Sequence, residues 1–486
     1  MRACPNIVYI LADDMGYGDV SCLNPESKIR TDRLDRLAAE GLRFTDAHAS
    51  SAVCTPSRYS ILTGRYNWRS SLKRAVLGGY SKPLIETDRP TVASMLRERG
   101  YATGCIGKWH LGWEWPKRSD DRKDIDYERA IRGGPTDVGF DRFFGISASL
   151  DMPPYVYVDG DTPTAVPTRE IEANEDPKAF WRAGPIADDV ELEDVLPRLT
   201  REAESFVDEH AGGERPFFLY FPLPAPHTPI LPTPEFQGKS GTNAYGDFCL
   251  QVDDVAGRIM DRLERHGIAD DTIVIFTTDN GCSPQAGLPE LAELGHHPSY
   301  VFRGQKADIY EGGHRVPLLI RWPNGIEANR SCDDTVCLVD LMATLAELTG
   351  YDVPDAAAED SVSNLPLWRG EADAEPIREA TVHHSINGSF SIRRGKWKLE
   401  LCPGSGGWSW PQPGEETDDM PAFQLYDLES DIGERTNVIA EHPDVESELK
   451  ALLVRYVKQG RSTPGSPQNN EGGVLWEGLE WMESEV

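Results

Sequence analysis

Two strand-like runs in this chain end in side chains that bind cations. NIVYILA runs into Asp13-Asp14, and TIVIFTTDNG ends in Asp279-Asn280. Brought together, these carboxylates and the carboxamide form an oxygen-rich nest, which suits a hard divalent cation, Ca²⁺ or Mg²⁺, rather than zinc. A second set of residues suits an anion. GKWHLG presents Lys108 and His110, PLPAPHTP presents His227, and FRGQKADIYEGG places Lys306 in a loop flanked by glycines. In SAVCTPSRYSILTGRY a single cysteine, Cys54, precedes Thr-Pro-Ser-Arg and an apolar helical run. Pro56 fits the first helical position and Thr55 can cap it, which puts Cys54 just outside a helix N-terminus. Partial positive charge there, with Arg58 one turn along, favours an anion. Acids that hold a metal, ringed by Arg58, Lys108, His110, His227 and Lys306, describe a site for a tetrahedral oxyanion ester. The cations would hold the charged oxygens while a histidine protonates the leaving alcohol.

These residues meet only if the strands that carry them lie side by side. Short apolar runs alternate with amphipathic helical segments through roughly the first 350 residues, the pattern of a mainly parallel sheet covered on both faces. Strands are expected over Ile7 to Ala12, Ala102 to Ile106, Phe217 to Phe221, Ile273 to Thr277 and Leu318 to Arg321, and helices over Thr31 to Glu40, Thr91 to Arg99 and Tyr245 to His266. Ligands of open α/β sheets bind beyond the carboxyl ends of the strands, where the residues above stand. The predicted fold class is α/β, a large mixed but mainly parallel sheet sandwiched by helices, with a smaller C-terminal α+β subdomain. Residues 1–375 would form the catalytic domain, with 112–190 a Pro-, Gly- and Asp-rich insertion over one end of the sheet. Residues 376–463 would form the subdomain, with hairpin strands around Arg394-Gly395 and a helix from Val445 to Val457. Residues 464–486 read as a loosely held tail.

Composition narrows the partners. A formal net charge of −31 argues against nucleic acid and anionic membranes, both of which need a basic face. No apolar run reaches the ~20 residues that span a bilayer. NIVYILA begins after only five residues, which leaves no room for a signal peptide, so the chain reads as cytoplasmic as written, or periplasmic or secreted if it is a trimmed mature form. Nine scattered cysteines show neither a disulfide framework nor zinc-site spacing.

Cys54-Thr-Pro-Ser-Arg58 resembles the Cys-x-Pro-x-Arg signature of the type I sulfatases of the alkaline phosphatase superfamily. Gly100-Tyr-Ala-Thr-Gly-Cys-Ile-Gly-Lys108-Trp-His110-Leu-Gly112 resembles their second signature, and the likeness, closest to the arylsulfatase A-like branch, spans nearly the whole chain. It implies that Cys54 is oxidised to formylglycine by a formylglycine-generating or anaerobic maturase enzyme, and that the hydrated aldehyde attacks sulfur with one hydroxyl and releases sulfate with the other. On this resemblance Asp13, Asp14, position 54, Asp279 and Asn280 bind one metal per chain, usually Ca²⁺. Arg58, Lys108 and His110 hold the diol, Lys108 and Lys306 grip sulfate, His227 is the acid for the leaving group, and Asp279 takes the attacking proton. The rival readings are a phosphonate or phosphate ester hydrolase of the same superfamily and a non-catalytic, metal-stabilised binding protein.

The expected substrate is a sulfated small molecule or saccharide; the tryptophans favour a sulfated sugar, and the pocket shape usual in the resembled family implies release of sulfate at chain ends. Trp113 and Trp115 follow the Lys108/His110 strand, and Trp408 and Trp410 sit in GSGGWSWPQP, where indole faces suit pyranose rings.

Overall fold

The computed structural model describes residues 4–121, 123–371, 375–417, 419–473, 475–476 and 478–485. Strand β1 (Asn6–Ala12) is buried at every position, so it has no solvent face and belongs at the centre of a sheet. The other strands of that ten-stranded sheet are β2 (Leu42–Phe44), β3 (Ala102–Lys108), β4 (Arg142–Ile146), β5 (Val158–Asp159), β6 (Thr162–Pro163), β7 (Phe217–Pro222), β8 (Thr272–Thr278), β9 (Leu318–Arg321) and β10 (Arg330–Cys332). Their order is β10-β2-β9-β8-β1-β7-β3-β4-β5-β6. The central run from β8 to β4 is parallel, whereas β9 is antiparallel to both neighbours, as are β5 and β6 to theirs.

Register sets which side chains share a face. Tyr9 lies opposite Tyr220 and Ile275, Tyr220 opposite Cys105, and Ile275 opposite Ile320. The longer helices, those of seven residues or more, are α1 (Asp32–Ala39), α2 (Cys54–Thr63), α3 (Val92–Glu98), α4 (Val195–Ala211), α5 (Ala244–Arg265), α6 (Leu341–Thr349) and α7 (Pro443–Gln459). A small cavity joins Tyr9, Ile275 and Ile320 to Leu341 and Thr344, so α6 covers that face. On the other face Gly104 sits so close to the Phe206 ring of α4 that a Cβ there would stand 2.5 Å from it. The helix ends follow their sequence signals: Asn243 caps the amides of Tyr245 and Gly246 in α5, and Thr91 and Ser94 cap α3 reciprocally. The sandwiched, mainly parallel sheet expected from the alternation is therefore present.

Near the C-terminus β11 (Thr381–His384), β12 (Phe390–Arg394), β13 (Trp397–Glu400) and β14 (Gln424–Asp427) form an antiparallel meander. Helix α7 buries Leu449, Leu452, Leu453 and Tyr456 in one apolar cluster with Phe390, Ile392, Leu399 and Leu425 of these strands. Charge joins the small sheet to the large one: Asp46, just after β2, takes Arg393 of β12 at 2.7 Å and His48 at 2.8 Å.

Two expectations need correction. The segment 112–190 is not only a loop, because β4 extends the main sheet beside β3 and carries β5 and β6 at its edge; the apolar run Phe143-Phe144 is short and masked by the polar composition around it. The tail is held rather than loose. Trp476 stacks on Trp68 with centroids 6.2 Å apart, and Leu479 and Met482 are fully buried. Its residues 474, 477 and 486 lie outside the described residues. All nine cysteines are free thiols, and among the described residues no helix is long and apolar enough to cross a membrane.

Candidate active site

β1 and β8 are in register from Asn6–Thr272 to Ala12–Thr278, so the residues after them emerge together. Asp13, Asp14, Asp279 and Asn280 are all buried. Asp14 holds a left-handed backbone (φ 68°), a conformation costly to a residue with a side chain, and its amide donates to Asp279 Oδ1 at 3.4 Å. The Asn280 amide nitrogen donates to Asp14 Oδ1 at 2.7 Å, while Asn280 Oδ1 is buried with no partner.

Cys54 enters this group from α2. The helix begins at Cys54 itself and its N-cap is Val53, in extended conformation and without a capping side chain. The expected cap at Thr55 is thus displaced, and Cys54 lies inside the first turn rather than just before it. Thr55 is occupied elsewhere: its hydroxyl donates to the His110 carbonyl at 3.0 Å and accepts the Leu77 amide at 3.2 Å. The Cys54 Sγ lies 3.6 Å from Asp13 Oδ1. Burial pushes the thiol up to about 12, so at neutral pH an unmodified cysteine here is protonated and a poor nucleophile.

The expected cations all arrive. Lys108, the last residue of β3, donates to Asp13 Oδ2 at 2.5 Å, and Lys306 approaches the Asp14 carboxylate at 2.7 Å. Arg58, one turn into α2 and fully buried, places Nε at 2.9 Å and Nη2 at 2.7 Å from Asp279 Oδ2 and donates from Nη1 to the Lys108 carbonyl. Burial opposes ionisation of Asp13, but Lys108, His227, Arg58 and Lys306 outweigh it and hold its carboxyl well below the usual carboxylate range. Asp279 moves the other way, up to about 6, because burial and the charge of Asp13 exceed the pull of Arg58 and Lys108.

Both histidines are within the site. His227 gives its Nδ1 proton to the Thr228 carbonyl, which leaves Nε2 facing Asp14 Oδ2 at 3.6 Å. Burial and Lys306 lower its pKa against the pull of Asp14. His110, also left-handed (φ 57°), bonds the Leu77 carbonyl through Nε2 at 2.7 Å and leaves Nδ1 buried and unpartnered. Burial, Lys108 and Arg58 keep it neutral, with its pKa well below the ordinary imidazole value. The seats at Thr55 and Leu77 escaped the sequence reading, since a hydroxyl and a carbonyl in a loop carry no distinctive pattern.

One ligand atom each from Asp13, Asp14, Cys54 and His227 lie within 4.8 Å of one another. With the orphaned Asn280 Oδ1, the donors are mostly hard oxygens, which fits a divalent cation of the Ca²⁺ or Mg²⁺ type. The arrangement pairs a cation nest with basic side chains around position 54, the requirement for binding and splitting an anionic ester.

Comparison with known proteins agrees with this chemistry. The Sulfatase family model matches residues 5–351. The chain belongs to the sulfatase family. This sulfatase is 36% identical to an N-acetylgalactosamine-6-O-sulfatase of Bacteroides thetaiotaomicron, over 92% of each chain. It is 32% identical to human arylsulfatase A, over 92% of this chain and 87% of the relative. Among solved structures, a 6S-sulfatase from a B. thetaiotaomicron glycosaminoglycan-metabolism locus superposes with a TM-score of 0.81 at 34% identity, over 93% of this chain and 98% of the other. The sulfatase is thus a sulfuric ester hydrolase of the arylsulfatase A-like type with an alkaline phosphatase-like fold. The family is metal-dependent, and this member has a possible metal site.

The four tryptophans divide. Trp113 and Trp115 are buried, edge-to-face at 5.2 Å, with the Trp115 indole donating to the Gly79 carbonyl, so they chiefly pack the segment after β3. Trp408 and Trp410 are 36% and 69% exposed.

Proposed function

We propose that this sulfatase removes sulfate from a sulfated carbohydrate, acting at a chain end, with Ca²⁺ bound by Asp13, Asp14, position 54, Asp279 and Asn280 and with Cys54 matured to formylglycine by a dedicated enzyme. The observation that carries the reading is the position of Cys54, 3.6 Å from a carboxylate that Lys108 already grips. The hydrated formylglycine would supply the attacking oxygen and the hydroxyl that later releases sulfate, and the cation would supply neutralising charge.

The chain's own residues do the rest. Lys108 and Lys306 bind sulfate oxygens, each ammonium being held beside position 54 by a carboxylate of the nest, Asp13 and Asp14 respectively. Arg58 keeps Asp279 oriented and ionised despite its burial, which lets Asp279 accept the proton from the attacking group. His110 Nδ1 and Lys108 orient position 54. His227 delivers a proton from Nε2 to the leaving alcohol; with its Nδ1–H held by the Thr228 carbonyl the ring does this as imidazolium, the form that the Asp14 carboxylate facing Nε2 favours.

Two observations support the carbohydrate: the 36% identical relative is named for N-acetylgalactosamine 6-sulfate, and Trp408 and Trp410 are exposed on a loop bound to the residues beside Lys306. The test is a panel of sulfated mono- and oligosaccharides from several glycan classes beside nitrophenyl sulfate and nitrophenyl phosphate. At least one sugar is expected to exceed nitrophenyl sulfate in kcat/KM. Preference for nitrophenyl sulfate over every sugar refutes the carbohydrate assignment, and preference for the phosphate ester refutes the sulfatase one.

A further inference from the structure

The tryptophan-bearing stretch Trp408–Ser409 is bound by one buried carboxylate, while Ile309, Asn387 and Gln424 hold the carbonyls of Ser405, Gly406 and Gly404 just before it. Asp308 is fully buried, and its Oδ1 accepts the amides of Trp408 at 2.7 Å and Ser409 at 2.9 Å. Its Oδ2 accepts the Gln305 amide at 3.0 Å and the Ser409 hydroxyl. Among the described residues no lysine or arginine pairs with it, so the negative charge is met only by four neutral donors of two loops. An ionised carboxylate offers about four acceptor positions and no donor, whereas an asparagine would turn an NH₂ group against some of these donors.

The same segment reaches the reactive residues in the other direction. Lys306 stands two positions before Asp308, and its amide donates to the Cys282 carbonyl. Ala307, left-handed at φ 81°, donates to the carbonyl of Ala52, two residues before Cys54, and accepts the Ile386 amide. Ile309 donates to the Ser405 carbonyl. Gly407 presses on this segment so closely that a Cβ would stand 2.5 Å from the Ala307 carbonyl and from Asp308 Oδ1. Residues 306–309 therefore form a bar held by the nucleophile loop on one side and by the tryptophan loop on the other.

We propose that Asp308 is a positioning residue for substrate selection, fixing the Trp408–Trp410 loop at a set distance from Lys306 so that a sugar seated on the indoles presents its sulfate to the lysine. The assignment rests on the carbohydrate reading above. It makes selectivity a property of the 306–309 bar rather than of the tryptophans alone, because a free loop would pay the entropy of ordering each time a sugar binds.

The test compares Asp308→Asn, Gly407→Ala and Trp408→Ala in the matured enzyme, reading the ratio of kcat/KM for the best sulfated saccharide to that for nitrophenyl sulfate, with tryptophan emission as a monitor of the loop. Asp308→Asn is expected to lower the ratio about tenfold, mainly through KM for the saccharide, and to shift emission to the red. Gly407→Ala, whose added Cβ would crowd the Ala307 carbonyl and Asp308 Oδ1 and so push the loop off while leaving the carboxylate itself in place, is expected to do the same if Asp308→Asn fails to fold. If Trp408→Ala lowers the ratio while both other variants leave it unchanged, the positioning role is wrong and the carbohydrate reading stands. Equal losses on both substrates in Asp308→Asn and Gly407→Ala also overturn it, since that is what a merely structural contact gives. If Trp408→Ala and Trp410→Ala both leave the ratio intact, the indoles do not seat the sugar and the inference fails, while the carbohydrate reading is decided separately by the substrate panel.

Discussion

Arg58 holds Asp279 with two nitrogens on one oxygen, Nε at 2.9 Å and Nη2 at 2.7 Å from Oδ2. Both side chains are fully buried, so neither charge has water to fall back on. Without Arg58, burial and the charges of Asp13 and Asp14 are opposed at Asp279 by Lys108 and no longer by the guanidinium, which moves it further toward its protonated form. Arg58→Gln is therefore expected to abolish the stabilisation that Ca²⁺ confers and to lower kcat/KM at least about 100-fold, the scale of losing one electrostatic stabiliser. Arg58→Lys should rescue little, because one ammonium cannot reproduce the fork that also reaches the Lys108 carbonyl. A Gln variant that keeps its calcium-dependent melting shift and activity would contradict this role.

Metal should stabilise the folded chain in proportion to its saturation. Added Ca²⁺ at 100 times its Kd is expected to contribute about 2.7 kcal/mol, reversed by chelator. Asn280→Ala should weaken the effect through Kd, as Asn280 Oδ1 has no other partner. Identical melting curves with calcium and with chelator would remove the metal from the account.

Leaving-group dependence tests His227. If Nε2 protonates the departing alcohol, His227→Ala should cost ~100-fold or more on a sugar sulfate and far less on nitrophenyl sulfate, whose phenolate leaves unaided. Equal losses on the two would show that the ring only positions or ligates.

Acid stability tests the joint between the two sheets. Burial raises the cost of charge at Asp46, but Arg315, His48 and Arg393 hold its carboxyl well below the usual range. A carboxyl depressed in the folded state adds stability above its unfolded pKa of about 3.9, and this is lost as pH falls through the lower folded value. Asp46→Asn, which removes the nearest carboxylate of Arg393 and leaves it Glu311 at 3.7 Å, should cost up to about 3 kcal/mol at pH 7 and flatten the acid limb of the stability curve below about pH 4. An unchanged acid limb would place the attachment of the small sheet elsewhere.

The sequence made the site legible because each reactive residue follows an apolar run whose length and burial are dictated by a parallel sheet. Lys108, Asp13 and Asp279 stand at strand ends whichever residue one counts as last. What it hid was set by contacts between segments far apart in the chain. Thr55 looked like a helix cap until the His110 carbonyl and Leu77 amide claimed its hydroxyl. Trp113 and Trp115 looked like a sugar platform, but an indole faces a core or a ligand according to what packs over it. β4 disappeared in a polar segment because two phenylalanines are too short a signal, and the tail's Trp476, Leu479 and Met482 were obscured by the acidic residues between them.

The central claim is that position 54 acts as formylglycine and not as a thiol. Intact-mass analysis of the Cys54 peptide, before and after an aldehyde-trapping hydrazide, tests it most directly across preparations of differing specific activity. The account predicts a peptide lighter than the thiol form by the difference between –CH₂SH and –CHO, with a trapped fraction that rises in step with sulfate release. A fully active preparation in which every Cys54 peptide keeps the cysteine mass and none reacts with hydrazide would contradict it.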